Sequence, residues 1–199
     1  MFFFDIVTNR GLFTCWAGKY IKKNADLHIF EPQPELKCIY LKFQKIFHSH
    51  QLFYNIFCFS DIEGKTLISR ECIGDGSASL KTFDFEVDNL ESARLQTLDD
   101  YCEKNEIDKI DFIKIDVEGH EYKTLAGGMK TIEILMQTML VEMSPGTLST
   151  RALEEFSKLG YKVKIIWSGT TFDSSSHFYK QFISEEKTPN SHADVLFYR

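Results

Sequence analysis

Acidic residues recur where the short apolar runs of this sequence end. Asp5 sits near the end of Phe2 to Val7 and opens Asp5-Ile6-Val7-Thr8-Asn9-Arg10-Gly11. Glu31 follows Asp26 to Phe30, and Asp61 follows Gln51 to Phe59. Asp116, Glu118 and Glu121, with His120 among them, close Asp111 to Val117, while Glu142 lies near the end of Thr138 to Met143. In an open parallel sheet, ligands bind beyond the carboxyl ends of the strands, where the strand order reverses. If these runs are parallel strands, the acids converge on that edge. Glu31, twenty residues beyond Gly11, then has the placement to accept both hydroxyls of an adenosine ribose. Asp116, Glu118 and His120 offer a general base. Asp116, Glu118 and Glu142 also form a hard oxygen set of the kind that suits Mg²⁺ or Mn²⁺.

The elements that must carry these groups follow from periodicity. Short apolar runs alternate with longer helical periods, which predicts βαβ units and a mainly parallel sheet. Phe13, Trp16, Ala17 and Tyr20 stand at helical spacing within Leu12 to Lys23, with Asn24 available to end the helix. Leu36, Ile39, Tyr40, Phe43 and Phe47 mark the buried side of a second helix. Lys65 to Ser69 reads as a short strand, and Gly74-Asp75-Gly76-Ser77 as a loop. A helix over Leu98 to Lys104 precedes the Asp111 run, and the helix after it breaks at Gly127-Gly128. Ala152, Leu153, Phe156 and Leu159 predict an amphipathic helix stopped by Gly160, before strands at Val163 to Trp167 and Asp194 to Tyr198. The polar stretch from Ser168 to His192 is long for a connection inside a compact domain.

Composition excludes several classes. Twenty-three basic against 29 acidic residues give a net charge of −6, which argues against a nucleic-acid partner. Lys19, Lys22 and Lys23 read as the solvated side of a helix. Five scattered cysteines without a Cys-x-x-Cys pair point to free buried thiols rather than zinc or a disulfide framework. The start Met1-Phe2-Phe3-Phe4-Asp5 lacks the basic lead of a signal peptide, and no run is long enough to insert in a membrane. A cytoplasmic domain spanning 1–199 is the expectation.

The segment Asp111-Phe112-Ile113-Lys114-Ile115-Asp116-Val117-Glu118-Gly119-His120-Glu121, followed by Leu125-Ala126-Gly127-Gly128, resembles the signature of FkbM-type methyltransferases. Phe30-Glu31-Pro32-Gln33-Pro34 and Ser60-Asp61-Ile62-Glu63-Gly64 are similar to that family's ribose-binding segment and the turn after its third strand. Gly76-Ser77-Ala78-Ser79-Leu80, Thr97-Leu98-Asp99-Asp100 and Val141-Glu142 fall in the family's order. The resemblance implies an α/β fold, a single Rossmann-like class I methyltransferase domain with a mainly parallel seven-stranded sheet and an antiparallel C-terminal strand. It implies S-adenosylmethionine as donor, held by Asp5, Thr8, Asn9, Gly11, Glu31, Pro32, Asp61 and Asp116. Asp116, Glu118 and His120 become the catalytic candidates, and a hydroxyl of a sugar, glycan or other small polyhydroxylated molecule the acceptor.

Two departures from the family pattern keep a second reading open, a non-catalytic cofactor-binding or scaffold domain. Val7 stands where the family carries glycine, and a β-branched residue at positive φ is an outlier. The first strand also begins almost at Met1, without the helical segment that often covers the site. A nicotinamide-dependent oxidoreductase would share the ribose acid, but the first loop lacks Gly-x-Gly-x-x-Gly.

Overall fold

The computed structural model describes residues 1–69, 79–80, 90–145, 147–184 and 192–199. Its strands are β1 (Phe2–Ile6), β2 (Asp26–Phe30), β3 (Gln51–Asn55), β4 (Cys58–Phe59), β5 (Gly64–Ser69), β6 (Ser79–Leu80), β7 (Leu90–Gln96), β8 (Phe112–Ile115), β9 (Thr138–Met143), β10 (Lys162–Trp167), β11 (Thr170–Phe172) and β12 (Ala193–Tyr198). Its α-helices are α1 (Leu12–Ala17), α2 (Lys37–Ile46), α3 (Leu98–Lys104), α4 (Glu121–Ala126), α5 (Met129–Leu135), α6 (Thr147–Lys158) and α7 (His177–Ile183).

An eight-stranded sheet runs in the order β11-β10-β12-β9-β8-β1-β2-β3. The five strands from β9 to β3 pair in parallel. β12 runs antiparallel between β9 and β10, and β11 is a short antiparallel edge. From β1 the chain winds outward through β2 to β3, then returns to the other side of β1 as β8 and continues to β9. The strand order therefore reverses between β1 and β8, which fixes where a ligand crevice opens.

Alternation along the central strands separates two faces. Phe4, Ile6, Ile113, Ile115, Met139 and Val141 enter the main core, joined there by Leu125, Phe156 and Phe197. Phe3 and Leu27 face the opposite way, beneath Ala17 of α1. Ile29 meets Tyr40 and Phe43 of α2. Burial of large apolar groups at roughly 25 cal/mol per Å² is what holds both layers together.

The sheet has one strand more than the seven expected, because β11 forms within the stretch read as a long polar connection. That stretch is not structureless: it also holds α7, whose N-cap Ser176 accepts a hydrogen bond from the Tyr179 N–H. The run Gln51 to Phe59 is two strands. β3 stays in the main sheet, whereas β4 joins a second sheet of order β4-β7-β5-β6. The first helix stops at Ala17, short of Lys23, where Gly18 lies against the Phe47 ring. Asn24 makes a left-handed turn into β2 (φ 62°) instead of ending that helix. Trp16 and Tyr20, which share its helical spacing, are exposed rather than core. Cys58 and Cys102 are buried thiols, but Cys38 is exposed. The loop at Gly74 to Ser77, the motif residues Gly76 to Ala78, and Cys72 lie outside the described residues.

Candidate functional site

A cleft of about 870 Å³ opens at the strand-order reversal. Asp5 and the loop Val7 to Arg10 after β1 form one wall, with Lys114 and Asp116 of β8 and its exit beside them. Glu142 of β9 and Asp194 of β12 lie farther along, and Leu12, Phe13 and Trp16 of α1 supply an apolar side.

The carboxylates here are tuned by burial. Asp5 is 2% exposed and accepts a short hydrogen bond from the Thr14 hydroxyl. Burial pushes its pKa up to about 6, against the opposing pull of Thr14 and Lys114. Lys114 is itself buried, and its Nζ donates to Asp116 Oδ2 at 3.0 Å. Burial raises Glu142 to about 8, reinforced by its hydrogen bond to Asp116 and by that residue's charge. Burial also raises Asp194, which stands opposite Glu142 in the antiparallel register of β12 and β9.

Carboxylate oxygens of Asp116, Glu118 and Glu142 lie within 4.8 Å of one another. That spacing would admit a hard cation. Lys114, however, already places an ammonium on Asp116, so the cluster holds a positive charge of its own.

The loop after β1 is the site's most constrained piece. Val7 has φ 57° and Asn9 φ 48°, both left-handed. Val7 thus takes the backbone that the family gives to glycine, at a cost of about 1–2 kcal/mol for a non-glycine residue. Two backbone bonds keep it there: the amides of Val7 and Thr8 both donate to the Phe30 carbonyl, at 2.9 and 3.2 Å. Thr8 is buried, its hydroxyl donating to the Asp5 carbonyl at 2.9 Å. Gly11 (φ 71°) leads into α1, and a Cβ there would stand 2.2 Å from the Phe43 ring.

Five strand-end acids were expected to converge, and three do: Asp5, Asp116 and Glu142. Glu31 has no exposed surface. It turns under the first loop, where Oε2 accepts the Asn9 N–H at 2.7 Å and Oε1 accepts the Gln33 N–H at 2.9 Å. Burial raises it to about 7, those two bonds pulling it back only in part. Pro32 is buried beside it. Glu31 is therefore the floor of the loop and does not line the cleft.

Asp61 is exposed at the end of β4 and belongs to a separate group. Ser60 Oγ lies 3.0 Å from Asp61 Oδ1 and 3.0 Å from His120 Nε2. His120 thus faces Ser60 instead of lining the cleft, and burial, helped by Lys123, lowers its pKa to about 4. Glu118 (φ 49°) and Gly119 (φ 93°) make the turn that separates His120 from Asp116. Glu121 steadies this turn by accepting the Gly119 N–H at 2.8 Å.

Sequence reasoning missed Lys114, Asp194 and the aromatic side of the cleft. Lys114 was findable, because a residue two before Asp116 on a strand shares its face. Asp194 escaped because it begins its strand. An antiparallel strand presents its first residue, not its last, to this edge.

A doubly wound sheet in this order, with an acid-bearing cleft at the reversal and no glycine-rich dinucleotide loop, has the architecture of Rossmann-like methyltransferases. The family profile described as the methyltransferase FkbM domain matches residues 5–163, and the chain belongs to that family. Methyltransferase FkbM from Methylobacillus flagellatus KT has a similar fold, with a TM-score of 0.60 and 13% identity over 98% of this chain. This chain spans 43% of that protein's length. A putative rRNA-methylase from Clostridium thermocellum matches at TM-score 0.52 and 11% identity, over 99% of this chain and 85% of that one. Fibrillarin from Aeropyrum pernix, solved with natively bound S-adenosyl-L-methionine, matches at TM-score 0.50 and 10% identity, over 98% of this chain and 65% of its own. No curated protein matches the chain. Among the described residues, no helix is long and apolar enough to cross a membrane.

Proposed function

We propose that this chain binds S-adenosylmethionine in the cleft between β1 and β8 and transfers its methyl group to a hydroxyl of a small polyhydroxylated acceptor, such as a sugar or glycan. The observation that carries this reading is the pairing of Asp5 and Asp116 across the point where strand order reverses. These two carboxylates would hold the cofactor's ammonium, with the loop from Val7 to Asn9 along its methionyl chain. The volume suits such a ligand, since small-molecule sites usually measure ~300–1,000 Å³. S-adenosylmethionine, when bound, would supply a sulfonium methyl carbon for in-line attack by an oxygen nucleophile, the C–S bond breaking so that neutral thioether leaves and the hydroxyl proton passes to a base.

The chain's own residues do the rest. A neutral alcohol is a poor nucleophile, and a positioned base contributes ~10²–10⁴-fold. Glu118 and Asp116 are the bases we favour: Asp116 lines the cleft, and a Glu118 oxygen, though not in its lining, lies within 4.8 Å of the Asp116 and Glu142 carboxylates that are. Lys114 holds the Asp116 carboxylate in place through their 3.0 Å contact. The contact of His120 with Ser60 suits it to positioning the turn, and we place it behind the two carboxylates as a base. Leu12, Phe13 and Trp16 give the cleft an apolar side.

The second reading is a cofactor-binding or scaffold domain without turnover. Val7 at positive φ and the engagement of Glu31 by Asn9 favour it, because ribose capture by Glu31 requires that loop to let go. One experiment separates the readings: calorimetry with S-adenosylmethionine and S-adenosylhomocysteine, followed by labelled methyl transfer to a panel of polyols. Binding with transfer supports the enzyme. Binding without transfer to any hydroxyl acceptor supports a cofactor-binding domain without turnover, and no binding at millimolar ligand rejects the enzyme and favours the scaffold.

A further inference from the structure

The outer side of α1 and the turn after it break the usual rule for a short amphipathic helix. Leu12 is 80% exposed, Trp16 58% and Tyr20 74%. They form a connected patch: the Phe13 and Trp16 rings lie 6.0 Å apart, and those of Trp16 and Tyr20 5.2 Å apart. Beneath it, the Phe3, Phe13 and Phe112 rings stack nearly parallel, with centroids 5.8 to 6.4 Å apart. Phe3, Phe13, Trp16, Tyr20 and Phe112 border an open groove of about 620 Å³. A contiguous exposed apolar patch of this kind marks an interaction surface.

Charge identifies the occupant. From Ile6 to Ala25 the sequence has no acidic residue but carries Arg10, Lys19, Lys22 and Lys23, in a chain of net charge −6. All four cations are exposed, and Lys22 borders the groove, as do Lys109 and Asp111, which pair with each other at 3.1 Å. Tryptophan and tyrosine set among lysines match the boundary between lipid headgroups and acyl chains, where the rings sit at the interface and the ammonium groups meet anionic headgroups. A second copy fits less well. A two-fold contact through this patch would set the exposed Arg10, Lys19, Lys22 and Lys23 against their own equivalents.

We propose that α1 and the turn through Lys23 form a docking surface for an anionic lipid bilayer, with Leu12, Trp16 and Tyr20 entering the interface and Lys19, Lys22 and Lys23 contacting headgroups. The contact is peripheral and spans nothing. It is independent of whether the cleft transfers methyl groups. Its geometry has one consequence for the cleft: Leu12, Phe13 and Trp16 also line it, so docking brings the cleft's apolar side to the lipid–water boundary.

The test is vesicle flotation of the full chain with phosphatidylcholine alone and with phosphatidylcholine containing about one quarter phosphatidylserine, an anionic surface. The chain is expected to float with the anionic vesicles, to remain largely free of neutral ones, and to be released by about 0.5 M salt, where screening is strong. Lys22→Gln combined with Lys23→Gln should lower the partition coefficient about 30-fold, from ~1 kcal/mol for each basic group near the surface. Tyr20→Ser should also lower it, and in a Trp167→Phe background Trp16 emission should shift to the blue on adding anionic vesicles. These positions are exposed, and thermal melts would check that each variant folds. Equal partition onto both compositions, no flotation, or indifference to the lysine variants overturns the proposal. So does a dimer, seen without lipid by ultracentrifugation, that Tyr20→Ser dissociates, because that result gives the patch to a second copy.

Discussion

The backbone amide of Asn9 donates to Glu31 Oε2 at 2.7 Å, tying the loop that follows β1 to the end of β2. A buried carboxylate that accepts two main-chain N–H groups is an anchor, and the loop's left-handed residues depend on it. Replacing Glu31 with Gln exchanges one acceptor oxygen for an NH₂ that must face an amide donor. Such a loss costs about 1–3 kcal/mol when a buried donor is left without its partner. Glu31→Gln should lower the melting temperature, and hydrogen exchange should quicken at the amides of Val7 to Gly11 first. Unaltered protection there would show that the loop holds its shape without the anchor.

Val7 bears the loop's conformational cost. Val7→Gly relieves about 1–2 kcal/mol of left-handed strain and clears two methyl groups from the cleft wall. The expected result is S-adenosylhomocysteine binding tighter by roughly tenfold, 1.4 kcal/mol being one decade in affinity. Calorimetry of the two proteins side by side decides it, and equal affinities would mean that the loop has already adapted to valine.

Catalysis is tested at Glu118. Glu118→Gln keeps the size of the side chain but removes the base, so turnover should fall by ~10²-fold or more while cofactor affinity stays within a few-fold. Asp116→Asn, at a residue assigned to the cofactor as well, should weaken both. Undiminished turnover in Glu118→Gln would take Glu118 out of the mechanism.

Asp5, Glu31 and Glu142 all have pKa values raised by burial, to about 6, 7 and 8. A carboxyl group with a raised pKa keeps its proton longer in the folded chain than in the unfolded one. Between the ordinary carboxylate range and about 8, these three groups therefore hold more protons in the folded state and their contribution to stability declines as pH rises, opposed only in the lower part of the range by His28 and His120, whose pKa values are lowered to about 4. Below that range both states are protonated and the contribution is complete. Urea denaturation should show lower stability at pH ~8 than at pH ~5, the sign set by linkage. Glu142→Gln should reduce the slope in its upper part.

Gly127 packs against the end of β4. An added Cβ would stand 1.9 Å from the Ser60 carbonyl oxygen, a backbone atom unable to swing aside. Gly127→Ala should cost about 1–3 kcal/mol, as overpacking does. The variant should also disturb the contact between Ser60 and His120, visible as a shifted His120 resonance in NMR spectra. A wild-type melting curve would contradict this account.

Period and turn chemistry made much of the framework legible. Leu98 to Lys104 and Thr138 to Met143 have the bounds read from the chain, and the break at Gly127-Gly128 falls between α4 and α5. Thr97 illustrates why: its hydroxyl accepts the Asp100 N–H at 3.0 Å, a cap written into three consecutive residue types. The division of Gln51 to Phe59 was not legible. A continuous apolar run does not reveal that its halves belong to different sheets, since that depends on partners far along the chain. The direction of Glu31 was hidden for a related reason. Its position at the end of β2 follows from the pattern, but its capture by the Asn9 amide depends on the path of the preceding loop. Trp16 and Tyr20 followed a helical period that ends at Gly18, where close packing on Phe47 overrode it.

The placement of β12 bears on how the chain matures as it leaves the ribosome. Strands β9 and β10 are made first yet end as non-neighbours, with β12 between them. Until residues 193–198 emerge, β9 has an open edge and Glu142 has no Asp194 opposite it. Domains assemble during synthesis from the N-terminal side, so the acid-lined crevice acquires its far wall only after residues 193–198 have emerged, and a nascent chain stalled before that point would expose an unpaired strand edge.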